Sequence, residues 1–442
     1  MSKRKWEGVG PKGTEVLRRD LKYISLSYTR AYPLVAERAS GSFVWDIDDK
    51  KFLDFTSGIA VTSTGHCHPE VVSAIKSQAD KLLHMSGTDF HYKVQADLAE
   101  LLCSIAPGRF AKRVFFANSG AETIEAALKM ARFNTRRDKF IAFLGCFHGR
   151  TLGALSLTAS KSVQRAGFSP LLPTVVHVPY AYCYRCPFNL NKETCDLYCL
   201  KYIEKNIFTT IALPEEISAL IIEPIQGEGG YVVPPKEFLT GLQEMCDEHE
   251  ILFIVDEIQS GMGRTGKMFA SEHFGLVPDA ITVAKGVASG MPLGALIAKS
   301  ELLEWPAGSH ASTFGGNPVS CAAAIATINL LQNGLIENAR KMGEVLRARL
   351  LGLKRKYDFI GDVRGLGLMQ AIEIVKDRKS KEENSKLSRE LIYQSFLEGL
   401  LILPCGVSAI RFIPQLGVSE EEIDMAIEIF ERVINKVCGR KR

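Results

Sequence analysis

Three apolar runs in the middle of this chain end in an ionisable residue. Ile217 to Ile222 is followed by Glu223, Ile251 to Val255 by Asp256, and Ala280 to Val283 by Ala284 and Lys285. Open parallel sheets bind ligands beyond the carboxyl ends of their strands, so these positions are where chemistry is expected. A lysine there is partly desolvated, which lowers its pKa and leaves a neutral amine able to attack a carbonyl. An acid on the neighbouring strand could hold a cationic ring nitrogen, or the two could form a structural Asp–Lys ion pair. Ala117-Asn-Ser-Gly-Ala-Glu122 adds an anion seat, because small residues between a strand and a helix expose backbone N–H groups at the helix N-terminus. Together with Lys285 and Asp256 it supplies the contacts that pyridoxal phosphate needs: a phosphate seat, a lysine to carry the aldehyde as a Schiff base and a partner for the pyridinium.

The elements that must position these groups follow from the pattern around them. Arg113 to Ala117, Phe140 to Leu144 and the three runs above alternate with stretches of helical period such as Ala121 to Phe133. Strands apolar on both faces and separated by helices predict an α/β unit with a mainly parallel sheet covered on both sides. From Asn333 onward the character changes. A charged amphipathic helix over Glu337 to Lys356 leads to Ile360 to Leu368 and a strand over Ala371 to Val375, then to a helix over Ser385 to Leu400 that ends at Gly399. A short strand, Arg411 to Pro414, precedes a helix over Ser419 to Val437 that opens with the capping-box pattern Ser419-Glu-Glu-Glu422. The expected division is a large cofactor-binding α/β domain over 58–332 and a small α+β domain over 333–442, with 1–57 as an N-terminal segment of the small domain.

Composition narrows the partners. Lys and Arg number 54 against 50 Asp and Glu, too even a balance for nucleic acid as the main partner. No run approaches the ~18 consecutive apolar residues of a membrane span. The basic start Met1-Ser-Lys-Arg-Lys-Trp6 has no apolar stretch behind it, as a secretory signal would, so a cytoplasmic location is expected. Seven of the eleven cysteines are scattered singly, as small buried hydrophobes are. Cys183, Cys186, Cys195 and Cys199 cluster; they could bind zinc or an iron–sulfur centre, pair as two disulfides, or stay as reduced thiols. His66 and His68 flank Cys67 without further ligands spaced for a metal and are expected to be structural. Gly261-Met-Gly-Arg-Thr-Gly266 spells a dinucleotide-binding turn, but no long helix opens at the glycines and no acid ends a second strand ~20 residues on.

Six ordered motifs resemble the class III (omega) aminotransferases of the 4-aminobutyrate and ornithine type. They are Asn118-Ser-Gly-Ala-Glu122, Phe147-His-Gly-Arg-Thr151, Ile222-Glu-Pro-Ile-Gln-Gly-Glu-Gly-Gly230, Asp256 to Gly266, Lys285, and Thr313-Phe-Gly-Gly-Asn-Pro318. The resemblance implies a fold-type I pyridoxal-phosphate transferase with a seven-stranded-type sheet, working as a homodimer or dimer of dimers. It implies Ser119, Gly120 and Ala121 at the cofactor phosphate, with Thr313 reaching across from a second subunit. Phe147 would stack on the pyridine ring beside His148, Gln259 would meet the phenolic oxygen, and Glu223 would support the surroundings. Arg150 would take a distal carboxylate and Arg411 an α-carboxylate, with Glu228 pairing Arg411 when no α-carboxylate is present. Ile59 stands where ornithine-specific members carry tyrosine, which favours a 4-aminobutyrate-like donor first and ornithine, lysine or an acetylated basic amino acid second. The amino acceptor implied is 2-oxoglutarate. Racemisation or epimerisation with the same cofactor is the alternative, although racemase-like members tend to carry aspartate where this chain has Glu228.

Overall fold

Every residue of Ile217–Ile222 is buried, as branched apolar runs must be when helices cover both faces of a sheet. The computed structural model describes residues 6–172 and 174–439; the basic residues Lys3, Arg4, Lys5 and 440–442 lie outside that range. The central sheet has seven strands. In chain order they are β1 (Lys112–Ala117), β2 (Lys139–Phe143), β3 (Val175–Val178), β4 (Ile217–Ile222), β5 (Leu252–Asp256), β6 (Ala280–Val283) and β7 (Gly294–Lys299). Across the sheet they run β1-β7-β6-β5-β4-β2-β3. The pairs from β6 to β3 are parallel, whereas β7 lies antiparallel to both β1 and β6. The sheet is therefore mainly parallel, and because β4, β5 and β6 are neighbours, Glu223, Asp256 and Lys285 emerge side by side.

The helix Gly120–Thr135 follows β1 directly. Its N-cap Ser119 accepts from Glu122 N at 3.3 Å, and the Glu122 carboxylate turns back to accept from Asn118 N at 2.5 Å. This reciprocal closure leaves the Gly120 and Ala121 amides aimed out of the helix end.

Two four-stranded sheets complete the structure. Ile360–Leu366, Met369–Ile374, Ala409–Phe412 and Leu403–Cys405 make an antiparallel sheet. Ala36–Ser40, Phe43–Asp46 and Lys51–Asp54 pair with Leu400–Leu401, so the N-terminal strands share a sheet with the C-terminal chain. The helix Glu420–Cys438 starts with both halves of the capping box in place. Among the described residues one helical stretch, 318–356, is long and apolar enough to cross a membrane by length and composition; its first helix, Pro318–Leu330, packs on the helices Pro69–Ala79 and Lys93–Ile105. Of the singly placed cysteines, Cys146, Cys246, Cys321 and Cys405 are buried, while Cys103 and Cys438 are half-buried and Cys67 is exposed. Cys67 occupies a left-handed position, φ +51°, in a surface loop, and burial as a small hydrophobe does not describe it. His66 meets Asp54 at 2.8 Å, a structural tie.

Candidate active site

A cleft of about 400 Å³ opens over the carboxyl ends of β4 to β6 and is lined by Ser119, Gly120, Ala121, Phe147, His148, Arg150, Glu223, Asp256, Gln259 and Lys285. Lys285 directly follows the Val283-Ala284 end of β6 and takes a left-handed backbone, φ +42°. A non-glycine residue there costs on the order of 1–3 kcal/mol and persists where its surroundings over-determine it. Burial lowers the Lys285 pKa, Arg411 pushes the same way, and Asp256 and Glu223 oppose without cancelling it. Its amine is therefore more available in the neutral form than an ordinary lysine's.

Asp256 is held on both oxygens. Oδ1 accepts from Ile258 N at 3.0 Å and from the Thr282 hydroxyl at 3.2 Å; Oδ2 lies 2.7 Å from His148 Nδ1. Burial disfavours an imidazolium at His148, yet Cys146 and Asp256 outweigh it and raise its pKa. The pair is buried on both sides, so His148 fixes the direction of the carboxylate. Glu223 accepts from Phe147 N and Gly227 N, each at 3.0 Å, which ties the Phe147 loop to the end of β4. Burial raises its pKa to about 7, with Asp256 adding to the effect and His148 opposing it.

A second group of charges sits across the cleft. Arg411, on Ala409–Phe412 of the small sheet, is 3.3 Å from the Glu228 carboxylate and 3.5 Å from Gln259 Oε1. Tyr231 donates to the same Gln259 oxygen at 3.0 Å. Lys161 binds the other Glu228 oxygen. Burial would raise the Glu228 pKa, but Arg411 and Lys161 outweigh it and hold it below the ordinary value. Arg150 is exposed at the mouth, its guanidinium 5.6 Å from the Phe147 ring centre.

Two residues expected at the site stand apart from this group. Thr313 lies in an exposed loop and is not among the residues lining the cleft of its own chain. Ile59 is 44% exposed with φ +69°, in the kinked helical turn Ser57–Ala60, and does not line the cleft. Lys161 and Tyr231 were not singled out from sequence. Tyr231 follows the Gly229-Gly230 pair and could have been suspected from it; Lys161, in Ala159-Ser-Lys-Ser162, carries no local signal. The Gly261 to Gly266 segment forms buried turns followed only by the short helix Ser271–Phe274, not the long helix of a dinucleotide site.

The class-III aminotransferase family model matches residues 24–434. The chain belongs to that family. A probable 4-aminobutyrate aminotransferase of Bacillus subtilis is 37% identical to this aminotransferase over 414 residues, 93% of this chain and 95% of that protein. An alanine/serine racemase of Pyrococcus horikoshii is 38% identical over 440 residues, 98% and 92% of the two chains. Among solved structures, an (S)-enantioselective omega-transaminase from Thermomicrobium roseum superposes with a TM-score of 0.89 at 31% identity, covering 96% of this chain and 98% of that one. The enzyme is a pyridoxal-phosphate-dependent transaminase of fold type I, as the sheet and the motifs imply.

The cleft fits that cofactor. A Cβ on Gly120 would lie 2.8 Å from Ile258 Cδ1, so glycine lets Ile258 pack against the helix start that lines the cleft, where a helix N-terminus can seat a phosphate. Asp256, oriented by a buried histidine, faces the same cleft as Lys285.

Proposed function

We propose that this aminotransferase moves the amino group of an ω-amino acid of the 4-aminobutyrate type to a dicarboxylic 2-oxo acid such as 2-oxoglutarate, as a homodimer. The observation that carries the reading is Glu228 held between Arg411 and Lys161. A substrate bearing an α-carboxylate takes the Arg411 fork, and Glu228 remains neutralised by Lys161. An ω-amine brings no carboxylate to that place, and Glu228 returns to Arg411. One pair of side chains thus serves both half-reactions. Arg150 at the mouth is suited to the distal carboxylate, and Ile59, in place of the tyrosine of ornithine-specific members, is the sequence feature that favours this donor. The likeness to the probable 4-aminobutyrate aminotransferase of Bacillus subtilis supports this choice, with ornithine, lysine or an acetylated basic amino acid as the second.

In this reading Ser119, Gly120 and Ala121 hold the cofactor phosphate, with Thr313 of a second subunit completing the seat. Phe147 covers the ring, Gln259 meets its phenolic oxygen, and Asp256, aligned by His148, keeps the ring nitrogen protonated. When bound, the cofactor supplies an aldehyde to capture amines and a sink for the electrons of the broken C–H bond. Lys285 Nζ, whose neutral form is favoured by its lowered pKa, would take the proton from the amine-bearing carbon and pass it, on the same face, to the cofactor carbon that had carried the aldehyde. Residues 58–332 form the cofactor domain, and the chain on either side forms the unit that carries Arg411.

Racemisation is the second reading, favoured by the likeness to the Pyrococcus horikoshii racemase. It needs a proton donor on the face opposite Lys285, and Glu228 held ionised between two cations is a poor donor. Profiling amino donors with 2-oxoglutarate tests both: glutamate should form from 4-aminobutyrate faster than from ornithine, lysine or N-acetylornithine. The proposal fails if no ω-amine yields glutamate while single enantiomers lose optical rotation without any oxo acid.

A further inference from the structure

The segment between β3 and β4 contains a cluster that amino transfer does not use. Cys183, Cys186, Cys195 and Cys199 all line one cavity of about 20 Å³, closed by Phe188 and Tyr198. All four are free thiols. We propose that these four sulfurs form a structural site for one Zn²⁺ ion per chain, which fastens a latch between the cofactor domain and the small sheet.

Size and ligand chemistry select the ion. Room for about one water-sized sphere suits a single cation and not an iron–sulfur cluster. Four cysteine sulfurs in a C-x2-C and C-x3-C arrangement match a closed tetrahedral zinc site. Among the described residues no three His, Cys, Asp or Glu side chains are already set in metal-holding geometry, so binding requires the four cysteine side chains to re-orient toward the cavity that they line. Binding expels the thiol protons, leaving a Zn²⁺ tetrathiolate of net charge −2. The Lys192 side chain lines the same cavity and offsets part of that charge.

The fold supplies a reason for the ion. From Pro179 to Leu197 the only regular element is one 3₁₀ turn, Cys183–Arg185, and so long an irregular stretch inside a domain calls for a function or a staple. That turn carries the contacts to the small sheet. Arg185 meets Glu373 at 3.1 Å and Glu383 at 3.6 Å, Tyr182 donates to Glu373 at 3.3 Å, and Lys381 donates to the Tyr184 carbonyl at 3.1 Å. Glu373 in turn holds Arg364 at 2.6 Å, whose Nε donates to the Gly230 carbonyl at 2.7 Å. An ion held by Cys183 and Cys186 would fix both ends of the turn that presents Arg185.

The test is elemental analysis of untagged holoenzyme expressed with added zinc and purified without chelator. One zinc per chain is expected, falling below about a tenth in Cys183→Ser/Cys186→Ser and in Cys195→Ser/Cys199→Ser. Pyridoxal phosphate content should stay at one per chain in these variants, and the melting temperature should drop by several degrees. Because the wild-type count stands alone, misfolding of a variant does not rescue the proposal. Absence of zinc in wild-type protein whose four thiols react as free cysteines overturns it, as does iron with acid-labile sulfide or a mass deficit for two disulfides.

Discussion

Replacing Glu223 by glutamine tests the electrostatics of the cleft without the cofactor. Glu223 is 5% exposed at the end of β4, and burial raises its pKa from 4.5 to about 7. A carboxyl whose folded pKa lies above its unfolded value binds its proton more firmly in the native state. Its stabilising contribution is therefore complete below pH ~4.5 and is lost as the pH rises through ~7. The gap between the two values corresponds to about 3 kcal/mol. Glutamine is neutral throughout and escapes that loss. It brings a fixed penalty of about 1–3 kcal/mol instead, because one of the two amides now bonded by the carboxylate, Phe147 N or Gly227 N, would face an NH₂ group. Denaturant unfolding of cofactor-free enzyme at constant ionic strength should find Glu223→Gln less stable than wild type near pH 4.5, with the difference shrinking or reversing by pH 8. Parallel profiles for the two proteins would refute a buried carboxyl that titrates near neutrality.

Lys285→Ala should abolish turnover and the visible absorbance of the loaded enzyme, and normal turnover in that variant would remove the central assignment. Asp256→Asn should lower kcat on the order of 10²–10³-fold, measured at saturating cofactor so that weaker binding is not mistaken for slower chemistry. Gly120→Ala should weaken pyridoxal phosphate binding about ten- to a hundredfold, as overpacking costs roughly 1–3 kcal/mol, and Ile258→Ala in the same chain should recover much of it because Ile258 is what the new methyl would meet; fluorescence titration of cofactor-free protein decides. Arg411→Lys should raise the KM for 2-oxoglutarate about tenfold while leaving cofactor affinity unchanged, since an ammonium cannot fork a carboxylate.

The strands β4, β5 and β6 were legible because burial on both faces removes polar residues from the run, leaving an ionisable residue at its end as a visible mark. β3 and β7 are not legible in this way. The first three positions of β3 are half-buried at the sheet edge, and the reversed direction of β7 has no counterpart in periodicity. The cofactor cleft could be read locally, since Gly120, Asp256 and Lys285 each sit at a strand–loop junction. Lys161 could not: it reaches Glu228 across 67 residues of sequence, and only the fold brings them together. Thr313 is a different case, because its expected role belongs to a second subunit and one chain leaves it in an exposed loop.

Arg411 and Glu228 belong to different parts of the molecule. Arg411 is locked into the small antiparallel sheet through pairing with Ala371 and Leu403, whereas Glu228 follows a strand of the central sheet. Their 3.3 Å separation is therefore a gauge of how one body sits upon the other. Ile410 and Phe412, the fully buried neighbours of Arg411 in its strand, set the tilt of that strand from inside the core. A change of one methylene there would move the guanidinium and leave the phosphate seat, Asp256 and Lys285 where they are. Preference among amines can thus drift through substitutions that touch neither substrate nor cofactor, and a search for altered selectivity has reason to begin in the core of the smaller sheet.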